Sequence, residues 1–178
     1  CQLLEETVQE LQGQAVEKLE PTIVDINVTA YIPDEWVGSA EQKMIEYKRL
    51  ADVKSDVELD YITEEWKDRF AKPPESVENL IKLIRLRLSA TDVRISLIRE
   101  TEDNIRIYTP YSQAEWKLIQ HKLPSEILKR IKFTIAPASC QEGNSILLLN
   151  NSYMNFDEVF NILTDLFYYI NKTRNEFV

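Results

Sequence analysis

Residues 55–75, SDVELDYITEEWKDRFAKPPE, decide how the rest of the chain is arranged. The stretch opens with Ser55 and Glu58, the spacing of the capping box, in which side chains satisfy the first free backbone N–H groups of a helix. An apolar side chain then recurs every three or four residues, at Leu59, Ile62, Trp66 and Phe70. This spacing lays one apolar stripe along a helix, and the prolines at 73–74 end it because proline cannot continue the backbone ladder. The stretch therefore predicts a helix that starts at Ser55 and buries one face in a core.

The opposite side of this predicted helix carries a row of acids, Asp60, Glu64 and Asp68. Like charges four residues apart slightly destabilise an isolated helix, so the row is of more use to a basic partner than to the helix itself. The alternative is a solvated acidic face, softened by Lys67 and by a pair between Glu65 and Arg69.

Four motifs occur in order along the first half: Tyr31-Ile-Pro-Asp-Glu, Tyr47-Lys-Arg-Leu-Ala, Glu65-x-x-Asp68-Arg69-Phe70 and Pro74-Glu-x-Val77-x-Asn79-Leu80. With these motifs the chain resembles the C-terminal domain of bacterial transcription-repair coupling factor. The resemblance covers residues 1–91, whereas residues 92–178 share only the expected pattern of short strands and helices. The sequence departs from the family at Ala71, where glycine is usual, and at Lys72-Pro73 in the link that follows.

The resemblance implies a parent protein that is an ATP-driven DNA translocase, which removes stalled RNA polymerase and recruits the excision-repair protein UvrA. In that family the C-terminal domain is not the motor. It docks on the UvrB-like N-terminal module of the same chain, covers the surface that UvrA uses and restrains the motor. Carried over to this sequence, the docking contact falls on Glu65 and Asp68, with Glu64 and Arg69 beside them. ATP and Mg belong to the parent motor, as do the contacts with DNA and RNA polymerase, so we expect no cofactor here.

Length and composition are those of one globular domain. The chain has 178 residues, of which 44% are hydrophobic, and no apolar run approaches the roughly 20 residues that a membrane span needs. We expect residues 1–13 to be the tail helix of a preceding motor region, 14–21 a linker and 22–178 a single C-terminal regulatory domain. The chain begins without methionine, so we expect it to be a piece of a longer protein.

The charge is unevenly distributed. Residues 1–75 contain 18 acidic and 8 basic side chains, whereas residues 76–178 contain 12 and 13. An acidic first half repels phosphate and favours a basic protein partner. The two cysteines, Cys1 and Cys140, have neither zinc nor disulfide spacing, which is typical of a reducing, cytoplasmic setting.

The rest of the sequence predicts an α+β fold, with a helical N-terminal half of three to four helices, a small mostly antiparallel sheet and a long C-terminal helix. Alternating residues indicate a strand over 24–30, and Ser39 with Gln42 indicates a helix start. We expect that helix to bury Met44, Tyr47 and Ala51, with Ile45 beside them. A wide apolar face follows the prolines, a hairpin spans 93–109, and Asn155 caps the last helix.

Catalytic signals are sparse. The three glycines, Gly13, Gly38 and Gly143, are too far apart for a nucleotide-binding loop, and His121 has no nucleophile motif near it. Two rival functions stay open. One is a nucleic-acid accessory domain that uses the basic second half, at Arg85, Arg87, Arg94, Arg99, Lys117, Lys122, Lys129, Arg130 and Lys132. The other is a small enzyme with a carboxylate site, which requires two acids in unlike environments.

Overall fold

The computed structural model describes residues 19–176, and a five-stranded sheet lies at its centre. The strands are β1 Ile23–Asp25, β2 Leu97–Glu100, β3 Ile105–Thr109, β4 Ile131–Ile135 and β5 Ser145–Leu149. They are ordered β1-β2-β3-β5-β4, with β1 parallel to β2 and the other neighbours antiparallel. The predicted hairpin is the β2–β3 pair, and the predicted mostly antiparallel sheet is confirmed.

Seven helices accompany the sheet within the described residues. They are α1 Asp34–Val37, α2 Ala40–Ala51, α3 Asp56–Arg69, α4 Glu75–Asp92, α5 Gln113–Gln120, α6 Ser125–Leu128 and α7 Phe156–Asn175. The first four form the predicted helical N-terminal half, and α7 is the predicted long C-terminal helix. The predicted tail helix at 1–13 and the first part of the predicted linker lie outside the described residues.

Side-chain caps start α3 and α7 where the sequence predicts them. Ser55 Oγ accepts a hydrogen bond from Glu58 N at 3.2 Å, and Asn155 Oδ1 accepts one from Glu158 N at 2.8 Å. In return, the Glu58 carboxylate accepts from Lys54 N at 2.9 Å, one residue before the expected position. The cap thus fixes the start of α3 and also the residue that enters it.

Two apolar clusters make up most of the core. In the larger one, α4, α5 and α7 pack on one face of the sheet, with buried side chains that include Leu86, Ile98, Ile107, Leu147, Leu163 and Phe167. The second lies among the first four helices and includes Ile32, Leu50, Leu59, Trp66, Val77 and Leu88. Helix α4 contributes to both, and no residue from Asn79 to Thr91 is exposed. The helical half is therefore joined to the sheet through α4.

The predicted strand at 24–30 is wrong in its length. Pairing with β2 ends at Asp25, although Val24 and Ile26 are both partly buried, as the alternation requires. Beyond this point the chain turns toward the start of α4, where Asn79 Nδ2 donates to Thr29 O at 3.1 Å and Tyr31 N donates to Ser76 O at 3.2 Å. These bonds replace strand pairing, because buried backbone groups need partners of some kind.

The predicted buried face of α2 is also wrong. Met44 and Ile45 are 63% and 53% exposed, whereas Glu46 is fully buried and Leu50 is 2% exposed. The helix is therefore rotated relative to the apolar pattern. The cause is a set of polar contacts to Glu46, which satisfy its carboxylate inside the fold.

Candidate docking surface

The acidic helix α3 is anchored firmly to the core. Leu59 is fully buried, and Ile62 and Trp66 are 7% and 1% exposed. The Trp66 ring packs edge-to-face on Trp36 with a centroid distance of 5.4 Å. Such aromatic pairs add about 0.5–1.5 kcal/mol to the energy of burial. The outer face of α3 is thus carried by a helix that has little freedom to move.

A buried carboxylate, Glu46, lies directly beneath this helix. It accepts hydrogen bonds from Trp66 Nε1 at 2.7 Å and from Gln42 Nε2 at 3.0 Å. The guanidinium groups of Arg49 and Arg69 reach it at 3.0 and 3.3 Å. These contacts compensate for the loss of solvent around a buried charge. The periodicity of the sequence contains no signal for this residue, because a glutamate in a helix is ordinarily read as solvent-exposed.

Glu65 belongs to the same network. Its Oε2 atom is 2.5 Å from Arg49 Nη1, and its Oε1 atom is 3.8 Å from Arg69 Nη1. The first contact is a charge contact without an aligned hydrogen bond, since Oε2 is buried and accepts none. Burial acts to lower the pKa of Arg49, but its close contact with Glu65 and the attraction of Glu46 outweigh this, so the pKa is raised. The Glu65 carboxylate is therefore already shared between two arginines of its own domain.

Arg69 has two roles inside the domain. It pairs with Glu46 and Glu65, and its guanidinium lies 5.0 Å from the centre of the Phe70 ring. These contacts fix the C-terminal end of α3. The link that follows is formed without a left-handed residue at Ala71, since Arg94 and Tyr153 are the only described non-glycine residues with positive φ. Alanine is therefore accommodated where the related sequences usually have glycine.

The other two predicted docking residues face solvent. Glu64 is exposed and, among residues 19–176, pairs only with Lys67, at 2.9 Å, where both side chains are more than 60% exposed. Asp68 is exposed and makes no hydrogen bond or ion pair with the described residues. Asp60, the first acid of the row, is instead bound by Arg85 of α4 at 2.9 Å. On the outer face of α3, Asp68 is therefore the carboxylate left without a partner among the described residues, and Glu64 lies beside it in an exposed pair.

A second charged surface lies on the face of the sheet opposite α4 and α7. The strand register places one residue of each strand side by side in a single row: Asp25, Arg99, Arg106, Leu148 and Lys132. Arg99 pairs with Asp25 at 3.4 Å. Arg106 and Lys132 are exposed and pair with no described residue. We call Arg99, Arg106 and Lys132 the basic row.

The described residues offer little for catalysis. A hollow of about 400 Å³ has Glu75 and Asp157 at its edge, but both acids are exposed and Asp157 pairs with Lys82 at 2.5 Å. A catalytic carboxylate pair needs one group in a buried environment and one in a solvated environment, so that one acts as acid and the other as base. Glu75 and Asp157 are both exposed and do not meet this requirement. His121 is exposed at the end of α5. Within residues 19–176 no cluster of three or more His, Cys, Asp or Glu is placed to hold a metal ion, and no helix has the length and apolar character of a membrane span.

The fold defines an α+β domain whose long helices cover one face of a mostly antiparallel sheet. The sequence model of the TRCF domain matches residues 26–117, more than half of the chain. The chain therefore belongs to the TRCF domain family. The resemblance was expected to cover residues 1–91. The matched region instead begins at residue 26 and continues to residue 117.

Two curated relatives agree with this assignment, and a solved structure shares the fold. The chain is 32% identical over 108 residues to the transcription-repair-coupling factor of Bacillus subtilis, which covers 60% of the chain and 9% of that protein. It is 34% identical over 96 residues to the Myxococcus xanthus protein of the same name, covering 53% and 8%. A crystal structure of the C-terminal domain of transcription-repair coupling factor shares the fold, with a TM-score of 0.67 at 17% identity, over 88% of this chain and 95% of that one. The matched region spans less than a tenth of the length of these two curated relatives.

Proposed function

We propose that this chain is the non-catalytic C-terminal regulatory domain of a transcription-repair coupling factor. It docks on the UvrB-like N-terminal module of its parent chain, masks the surface that UvrA binds and restrains a DNA-translocating ATPase motor. The observation that carries the proposal is the pair of exposed carboxylates, Glu64 and Asp68, on a helix held by a fully packed tryptophan. Negative groups on a rigid support suit recognition of arginine, whose planar fork binds carboxylates in a fixed geometry.

The four predicted docking residues divide into two roles in this proposal. Asp68 and Glu64 contact the partner directly. Glu65 and Arg69 hold the end of α3 in place through Glu46 and Arg49, and Glu65 gains a further cation when the partner arrives. Each exposed charge pair contributes about 0.2–1 kcal/mol, and pairs that are desolvated on docking contribute more. A contact of this kind holds the domain closed by a few kcal/mol, which a competing partner can overcome.

The remaining functions of the parent belong to other parts of its chain. Residues 22–178 form the regulatory unit, ATP and Mg bind in the motor, and DNA and RNA polymerase are contacted by other domains. The domain acts in the cytoplasm, where the parent meets transcribed DNA.

The test is a charge reversal in the parent protein. Replacing the two exposed acids, Glu64 and Asp68, with lysine is expected to raise basal ATPase activity and to increase the affinity for UvrA, because the partner arginines are then repelled. The matched control is Glu102→Lys with Asp103→Lys, which changes the net charge equally at an exposed hairpin turn. ATPase rate and UvrA affinity that both stay at the wild-type level in the first variant contradict the proposal.

The basic row supports a second candidate, a nucleic-acid accessory domain. Neighbouring strands are about 4.8 Å apart, so the row spans a length suited to the phosphates of one DNA backbone. The net charge of −9 opposes this, and we expect no tight binding to duplex DNA at moderate salt. A mobility-shift assay at several salt concentrations decides, because phosphate contacts give a steep negative slope. Submicromolar binding that Arg106→Glu with Lys132→Glu abolishes favours the second candidate over the first.

A further inference from the structure

The solvent face of α3 changes its character along the helix. Val57 and Tyr61 are 78% and 73% exposed, and they lie four residues apart on the same side as Glu64 and Asp68. The side chains of the opposite face, centred on Leu59, Ile62 and Trp66, fill the core. The first half of the outer face is thus apolar and the second half acidic. Helix packing within the domain does not explain this, because neither Val57 nor Tyr61 belongs to a buried cluster.

A concave surface accompanies the apolar half. Between the end of α2 and the start of α3 lies an open hollow of about 500 Å³, walled by Val57, Tyr61 and Ile62 and bordered by Asp52 and Glu58. We call it the apolar notch. Arg49 also lines it, but its guanidinium is occupied by Glu46 and Glu65. The border of the notch is therefore negative, and the space accommodates a large apolar side chain.

We propose that the docking surface extends from the apolar notch to Asp68, and that the partner segment carries a large apolar side chain beside its basic groups. This inference rests on the proposed function and specifies the chemistry of the partner. Tyr61 and Asp68 are seven residues apart, which places the two contacts about 10 Å from each other along the helix. A basic partner follows from the acids on both sides of the notch and from the net charge of −9, which together repel acidic segments.

The two halves of the surface contribute differently to binding. Charges at the edge of an interface mainly set the rate of encounter and its orientation, and they weaken in salt. A buried aromatic or aliphatic anchor in a pocket mainly sets how long the complex lasts. The notch therefore makes docking persist at physiological salt, where the pairs at Asp68 and Glu64 are screened. Docking that depended on the acids alone would be lost steeply as salt increases.

The test uses the full parent protein, with UvrA as the probe of the undocked state. The affinity for UvrA falls with the fraction of molecules that are docked, so a variant that weakens docking binds UvrA more tightly. Tyr61→Gln is expected to raise UvrA affinity by up to about tenfold, the effect of losing one buried large side chain. Its effect should persist at high salt, whereas the effect of Asp68→Lys should shrink. Tyr168→Gln is the control, because Tyr168 is similarly exposed, at 62%, but lies on α7 and not on the docking helix.

The outcomes separate this inference from the proposed function. If Asp68→Lys raises UvrA affinity but Tyr61→Gln behaves like Tyr168→Gln, the notch is not part of the interface and the inference is overturned, while the docking function stands. If neither variant raises the affinity, the proposed function fails and the inference fails with it. A second variant, Val57→Gln, must act in the same direction as Tyr61→Gln. Both side chains are more than 70% exposed and glutamine keeps helix propensity, so neither substitution should unfold the domain.

Discussion

Replacing Glu46 with alanine is expected to lower the free energy of unfolding by about 4 kcal/mol. The carboxylate is fully buried and accepts from Trp66 Nε1 at 2.7 Å, and Arg49 and Arg69 lie at 3.0 and 3.3 Å. Removing one partner of a buried ion pair costs about 3–5 kcal/mol, because the remaining charge loses its compensation. An indole N–H left unpaired adds about 1–3 kcal/mol. Both arginine side chains are partly exposed, so in the variant their charges can be solvated by water. The expected loss of unfolding free energy therefore stays near the middle of the range of about 3–5 kcal/mol.

Urea unfolding followed by tryptophan fluorescence measures this loss. With a slope of about 2 kcal/mol per molar urea, the midpoint should fall by about 2 M. Glu46→Gln keeps an acceptor for Trp66 and should lose about half as much. Glu64→Ala is the matched control, since its ion pair with Lys67 is exposed and contributes at most about 1 kcal/mol. A midpoint for Glu46→Ala within about 0.3 M of the Glu64→Ala value would refute the reasoning, because it would mean that the buried network contributes no more than a surface pair.

Three further predictions concern the frame of the domain. Ser55→Ala removes the cap of α3 and should lower stability by about 1 kcal/mol in the same urea assay, with Ser55→Asp restoring most of it. Burial raises the pKa of the Tyr111 hydroxyl above its ordinary value of 10, so the folded state keeps this proton after the unfolded state has lost it. Stability should therefore fall as pH rises above about 10, by up to about 1.4 kcal/mol per pH unit. Tyr111→Phe should remove that part of the pH dependence. Gly143→Ala places a Cβ 2.6 Å from the carbonyl oxygen of Thr109. This clash with the backbone should lower the melting temperature relative to the unchanged protein.

Sequence patterns predicted the features that depend on neighbours close along the chain. The start of α3 follows from Ser55, and its buried face follows from a period of 3.6 residues, so both were accessible from the sequence. The buried face of α2 was not, because it depends on Glu46 finding Trp66 and Arg69, which lie 20 and 23 residues away. An apolar periodicity has no means of placing a glutamate inside. The apolar pattern of that helix therefore predicts burial of Met44 and Ile45, which are exposed in the structure.

The candidate site shows the same division. The motif drew attention to Glu65, Asp68 and Arg69, and charge spacing added Glu64. Which of these carboxylates is free depends on arginines from other positions, and Arg49 stands 16 residues before Glu65 in the sequence. Only the folded arrangement separates Asp68, which faces solvent, from Glu65, which is held by Arg49. The exposed notch beside them was likewise hidden, because Val57 and Tyr61 look like ordinary helix residues in the sequence.

Helix α4 places Leu86 in the cluster beneath the sheet and Leu88 in the cluster among the first four helices. Neither cluster can be dissolved without uncovering a side of this helix, so the helical half and the sheet should melt in one cooperative step. Backbone amides in the middle of α4 should then exchange with deuterium only through global opening, more slowly than those at either edge strand. In the proposed docking, such a domain therefore leaves its partner as one rigid body.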